Sequence, residues 1–429
     1  MQSILAAVLL VAVLALVIWR PSGLAVAWPA AVGALLALAL GLLSFGALRA
    51  IFGDTWDAAV TLVALFVLSE ALESNGFFTW AALWLAQVAR GSGWRLYALA
   101  LLLTTLVTAL LANDGAILML TPIFATLLLR IYPDGASRLP FLLATGFFAD
   151  AMSGLFVPSN LTNIIIADAN NLAFARVVLW TAIPTVAAFC AAGLAFGFRF
   201  RDRLRKPYDQ TQLAAPDTAI RDHFVFVCGW VGLFLLVIGY IVGGALHLPV
   251  SIIAGSVAVA MLTLVRLRGL RGVGETLAAA PWSILIYALG MFVVITAAFD
   301  AHTLAFLTHP LRAHVTPAAG PLGALLSGGI LALLSAAVNN LPATLIGVLA
   351  LREASHVGSM AIYAIILGVD IGPKLTPFGS LATLLWLGIL ARYGIHISWG
   401  RYVKENWWVA LLTLGAAFLG LLASNALLG

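Results

Sequence analysis

The chain has 429 residues, 63% of them hydrophobic and only 9% charged, with a net charge of +5 and a mean hydropathy of +1.09. A soluble domain carries about a quarter of its residues as charges, so the surface of this chain must face an apolar medium. Its apolar runs are continuous and do not alternate over ten-residue strands, which excludes a β-barrel and leaves an all-α polytopic membrane protein. The basic residues are scattered through loops and give no nucleic-acid signal; the surrounding partner is the lipid bilayer.

Taken in chain order, apolar runs long enough to cross a hydrocarbon core of ~30 Å as helices fall near residues 2–19, 25–46, 57–73, 174–198, 222–244, 247–265, 279–299 and 404–427. The first has no basic start and reads as a retained helix, not a cleaved signal. Two stretches, 95–166 and 318–392, are apolar but interrupted. The first is broken by Asn113-Asp114-Gly115 and by Pro158-Ser159-Asn160-Leu161-Thr162-Asn163. The second is broken by Asn339-Asn340-Leu341-Pro342 and by the run from Gly372-Pro373-Lys374 through Thr376 to Gly379-Ser380.

Aligned without a gap, the two stretches place Asp150 on Asp370, Leu155 on Leu375, Asn160 on Ser380, Leu161 on Leu381 and Asn163 on Thr383. Paired interruptions in corresponding halves point to a transporter binding site. The expected organisation is two inverted repeats, each of about five transmembrane helices plus one re-entrant hairpin. Residues 1–198 form the N-terminal repeat, with a hairpin at about 95–132 and a broken helix at about 139–166. Residues 199–221 form a cytoplasmic linker, and 222–429 form the C-terminal repeat, with a hairpin at about 318–352 and a broken helix at about 359–392. The linker carries Arg199, Arg201, Arg203, Arg205, Lys206 and Arg221, which place it inside by the positive-inside rule. Both termini then fall in the periplasm, and Arg49, Arg176, Arg312 and Arg352 lie outside.

Broken helices at membrane depth expose free N–H and C=O groups, tolerated only around a buried or wet cavity. With Asn, Ser and Thr they suit a small, oxygen-rich solute. The ionisable residues of these stretches are Asp114, Asp150, Asp370 and Lys374. Intramembrane charge is costly and usually functional, so these four are the proton-coupling candidates. Glu70 and Glu73, near the end of the third run, read as interfacial. The seven His residues lack metal spacing, and Cys190 and Cys228 lie outside the polar clusters. No HExxH, no G-x-S-x-G and no phosphate loop is present, so neither an enzyme, nor a cofactor, nor a built-in ATPase is implied.

The segments Asn75-Gly76-Phe77-Phe78, Leu111-Ala112-Asn113-Asp114-Gly115-Ala116, Ser159-Asn160-Leu161-Thr162-Asn163-Ile164, Ala280-Pro281-Trp282, Asn339-Asn340-Leu341-Pro342 and the twelve residues from Gly372 to Thr383 resemble the signatures of the ArsB arsenite pumps. The resemblance covers essentially the whole chain. It implies export of arsenite and antimonite across the bacterial inner membrane, in exchange for protons, and in some relatives energised by a cytosolic ArsA-type ATPase. It also implies a substrate site drawn from Asn113, Asp114, Gly115, Ser159, Asn160, Thr162, Asn163, Asn339, Asn340, Thr376, Gly379, Ser380 and Thr383. The wider superfamily places Ser-Asn-Thr sodium sites at its hairpin tips. Asn113-Asp114-Gly115 and Asn339-Asn340-Leu341 stand there in this chain, which favours protons over sodium. The competing readings are a same-fold carrier of silicic acid, of another neutral oxyacid or of a small carboxylate with sodium, and an intramembrane enzyme.

Overall fold

Apolar helices satisfy their own backbone and can stand in lipid, and this chain is built of them. The computed structural model describes residues 2–20 and 24–428, apart from the side chain of Asp54, and contains helices and no strand among the described residues. Ten of those helices are long and apolar enough to cross a membrane. They differ in how much protein surrounds them. The spans Val250–Leu267 and Trp399–Leu428 are each 28% buried, with Val259, Leu411, Leu412 and Leu419 exposed to the lipid side, whereas Thr55–Ser74 is 78% buried and Asn113–Ile131 is 67% buried. The latter two therefore belong to the interior.

The helices differ in two places from the sequence reading. The run expected at 25–46 is the short helix Ala27–Ala39, after which the chain turns at Gly41. The loop expected before residue 57 is absent: Ser44 accepts the Ala47 N–H at 3.1 Å and starts one 30-residue helix, Phe45–Ser74, with Arg49 inside it. Hydropathy falls over 49–57, but no proline stands there and the single Gly53 is tolerated, so the helix continues. The ten long helices are also a different set from the expected crossings. Both limbs of the first hairpin qualify, while each interrupted crossing is made of shorter pieces.

In the first interrupted stretch, Gly93–Leu111 and Asn113–Ile131 meet at the single residue Ala112. Their outer ends come together, since a Cβ on Gly93 would sit 2.8 Å from the Tyr132 hydroxyl and 2.9 Å from the Lys206 carbonyl. In the second, Gly320–Val338 and Asn340–Glu353 meet at Asn339, and the Gly358 N–H bonds the Val315 carbonyl at 2.9 Å beside their outer ends. Both tips turn on a non-glycine residue at positive φ, Ala112 at 65° and Asn339 at 93°. Such backbone costs about 1–3 kcal/mol and is characteristic of functional sites.

Each hairpin is followed by a broken helix. Gly135–Ala151 stops, the chain runs through two short turns, and Leu161–Ala169 resumes. Ser359–Ile371 stops at Gly372-Pro373, and Leu381–Arg392 resumes. The two halves interlock: Phe174–Arg199 packs along Trp399–Leu428, Phe45–Ser74 along Val250–Leu267, and Trp282–Asp300 along Ala27–Ala39.

The segment between the halves is clamped in place by Asn75. Its amide donates to the Asp222 carbonyl at 2.9 Å and accepts the Asp222 N–H at 2.8 Å. The neighbouring Gly76 has φ +80°, and a Cβ there would fall 2.0 Å from the Ala219 carbonyl oxygen, so only glycine fits.

Candidate substrate site

The four interruptions converge. A cavity of about 30 Å³ at their meeting point is lined by Asn113, Asp114, Asn160, Leu161, Thr162, Asn339, Asn340, Leu341, Ser380, Leu381 and Ala382, with Ile284 and Tyr287 from the neighbouring helix. The helices Asn113–Ile131, Leu161–Ala169, Asn340–Glu353 and Leu381–Arg392 all begin here. Four helix N-termini thus point their free N–H groups and positive dipole ends into one small space. Oxygen-bearing solutes are favoured there. The Ser380 hydroxyl is buried in this wall without a hydrogen-bond partner.

Seven of the thirteen sequence-predicted residues line the cavity: Asn113, Asp114, Asn160, Thr162, Asn339, Asn340 and Ser380. The other six stand behind it. Gly115 abuts Ser69, where a Cβ would lie 3.2 Å from its hydroxyl. Ser159 donates to the Ser153 and Phe156 carbonyls and shapes the break. Thr376 donates to the Ala336 carbonyl at 2.6 Å, and the Gly379 carbonyl accepts the Asn340 N–H at 2.8 Å, so both fasten the second break to its hairpin. Asn163 and Thr383 serve the buried charges. Sequence reasoning missed Tyr287, which is fully buried and whose hydroxyl donates to Asn339 Oδ1 at 3.3 Å. A lone tyrosine in an apolar run gives no signal of its own.

Three of the four ionisable residues form two centres that tie the halves together. Asp150 accepts from Asn113 Nδ2 at 2.8 Å and pairs with Lys374 Nζ at 2.6 Å; Lys374 also donates to Thr383 at 2.7 Å. Asp370 accepts from Asn160 Nδ2 at 2.9 Å, Asn163 Nδ2 at 3.0 Å and the Thr162 hydroxyl at 3.4 Å. Each aspartate is therefore held by the segment that breaks the other half. Asp114 faces the cavity itself, in the first turn of its helix.

Two larger cavities flank this centre. One, of about 620 Å³, runs along the second limb of the first hairpin to Arg130 and is roofed by residues 213–219 of the connecting segment. Glu70 there pairs with Arg271, while Glu73 accepts from Phe78, Thr79 and the Thr79 hydroxyl and caps the helix Phe77–Val88. The other, of about 550 Å³, runs along the second limb of the second hairpin to Arg352 and reaches Phe174 and His247. Phe174 and Arg199 are the two ends of a 26-residue helix, about 39 Å long. Shortly after Arg199 the Lys206 carbonyl accepts from the Tyr132 hydroxyl, two residues beyond Arg130, so the two vestibules lie toward opposite ends of that helix.

Vestibules on either side of a narrow polar centre made by broken helices are the architecture of a multi-pass membrane transporter. The profile of the arsenical pump membrane protein, ArsB, matches residues 5–424. The chain is 37% identical to the arsenical pump membrane protein of Escherichia coli K12 over 424 residues, 98% of each chain, and 37% identical to that of Yersinia enterocolitica over 427 residues, again 98% of each. The chain belongs to the ArsB family. Its fold is similar to that of the Alcanivorax borkumensis YdaH transporter, with a TM-score of 0.51 over 90% of both chains at 16% identity.

Proposed function

We propose that this protein exports trivalent arsenic and antimony from the bacterial cytoplasm in exchange for protons. Trivalent arsenic in neutral water is chiefly an uncharged trihydroxide, and the observation that supports its recognition is the convergence of four helix N-termini and the unpartnered Ser380 hydroxyl on one small cavity. No thiolate is needed: Cys190 is exposed and Cys228 half-buried, and neither lines the cavity. Weak, thiol-free binding favours release. A carboxylate cargo would require a free positive clamp, whereas Lys374 is already held by Asp150. That argues for a neutral solute.

The linker side, rich in Arg and Lys, faces the cytoplasm of an inner-membrane protein, both termini face the periplasm, and the two halves are inverted repeats. The proton-carrying groups are among Asp114, Asp150, Asp370 and Lys374. A cytosolic ArsA-type ATPase is a partner that could energise the same route. Uptake of radioactive arsenite into everted vesicles under an imposed proton gradient tests the reading. Accumulation that collapses with the gradient supports it, and accumulation indifferent to the gradient refutes proton exchange.

A further inference from the structure

The alignment that lays Asp150 on Asp370 also lays Gly154 on Lys374. In the folded protein these two residues occupy equivalent places. Lys374 reaches from the second break to Asp150, and Gly154 sits in the first break beside Asp370, where a Cβ would lie 3.5 Å from Asp370 Oδ2. One aspartate thus has a cation built into the chain, and the other has a residue with no side chain, where a Cβ would meet Leu367 at 3.4 Å and Asp370 in ordinary contact. Among the described residues no Lys, Arg or His forms an ion pair with Asp370, and its shell of Asn160, Thr162 and Asn163 is neutral. The charged group that acts on it from a packed element is Asp150, itself engaged by Lys374. Two buried polar atoms near this place have no partner, Asn163 Oδ1 and the Thr185 hydroxyl, the latter 4.0 Å from the Cβ position of Gly154. A buried carboxylate without a countercharge is expensive. Rotation of the Asn163 amide would offer its spare oxygen to an O–H on Asp370.

We propose that Asp370 is the exchangeable proton site of the transport cycle, that Gly154 keeps it exchangeable by bringing no cation to it, and that Lys374 is a tethered cation that fills the equivalent position at Asp150 permanently. The proton adds to a carboxylate oxygen of Asp370 from one face and leaves to water at the other, so one mobile charge moves per turnover. The inference rests on the arsenite-exchange reading and refines its coupling.

The test is Gly154→Lys in the full chain, reconstituted in vesicles and probed with radioactive arsenite, with Gly154→Ala as its control. Placing an ammonium beside Asp370 is expected to abolish accumulation driven by the proton gradient, while arsenite counterflow, which needs no gradient, persists. Gly154→Ala keeps both. Asp370→Asn, which cannot bind a proton and preserves the side-chain shape, is expected to lose gradient-driven accumulation too, and decides the matter if Gly154→Lys fails to reach the membrane. Proton-driven accumulation surviving in either Gly154→Lys or Asp370→Asn overturns the proposal, as does wild-type accumulation that follows a sodium gradient at fixed pH. Absence of arsenite counterflow in the wild type sinks the underlying arsenite reading instead.

Discussion

Replacing Lys374 by Met removes one half of an ion pair whose two side chains are both buried. Lys374 and Asp150 are 2.6 Å apart with side chains each 1% exposed. Met fills nearly the same volume, so the perturbation is electrostatic: Asp150 is left with the Asn113 amide at 2.8 Å as its side-chain donor, and Thr383 loses its contact at 2.7 Å. Stranding one charge of a buried pair costs about 3–5 kcal/mol, which at ~1.4 kcal/mol per tenfold is about two to four powers of ten in the folding equilibrium. The double variant Lys374→Met/Asp150→Asn strands no charge and is expected to regain most of that loss. Purified protein in one detergent, unfolded with denaturant and followed by tryptophan fluorescence, gives the order wild type, double variant, Lys374→Met. A single variant as stable as wild type, or a double variant that loses the sum of both single losses, refutes the argument.

Ser380→Ala removes a buried hydroxyl that bonds nothing within the protein. Stability is therefore expected to hold, while the arsenite KM rises about 2- to 12-fold, the equivalent of one neutral hydrogen bond of about 0.5–1.5 kcal/mol. Gly372→Ala would place a Cβ 2.4 Å from the backbone of Ala332, so overpacking of about 1–3 kcal/mol should appear as a lowered denaturation midpoint. A reporter enzyme fused to the C-terminus is expected to be active only as a periplasmic fusion. Cytoplasmic activity there would overturn the assigned orientation.

The places where the chain stops being an ordinary membrane helix were legible, because polar and helix-breaking residues inside long apolar runs have few structural explanations. Asn113, Asn160, Asn339 and Ser380 were found on that ground and share one wall. What could not be read was which cluster serves which. Asn160 and Asn163 contact Asp370 across the two halves of the chain, and no local pattern encodes a partner so distant. Gly154 was invisible for a related reason: a glycine beside Asp370 matters only once Lys374 is seen in the equivalent place beside Asp150. The start of the helix Phe45–Ser74 was set too late because falling hydropathy over 49–57 resembles a loop, although its cap, Ser44, lies well before it.

The size of the central cavity decides what must move. At about 30 Å³ it is a small fraction of the vestibules of about 550 and 620 Å³ on either side, so a solute passing between them requires its walls to move. Parting the two halves at the centre would separate Lys374 from Asp150 and Asp370 from Asn160 and Asn163, stranding buried charges at several kcal/mol each. Each hairpin is in turn bonded to the break of its own half, through Asn113 to Asp150 and through Asn340 to Gly379. Hairpins and broken helices are thereby one cross-linked unit. The weak boundary is the helix Trp282–Asp300, whose polar link to that unit at the cavity is the 3.3 Å contact from Tyr287 to Asn339. Motion of the central unit along this helix opens the cavity at the lowest electrostatic cost. Cysteines introduced at positions 287 and 339, in a background without Cys190 and Cys228, and bridged by a short bifunctional thiol reagent should therefore stop arsenite exchange. A bridge between positions 336 and 376, joined inside the central unit by the Thr376–Ala336 hydrogen bond, gives the comparison for a bond that need not break. Exchange that continues at an undiminished rate with the 287–339 bridge fully formed would show that the boundary lies elsewhere.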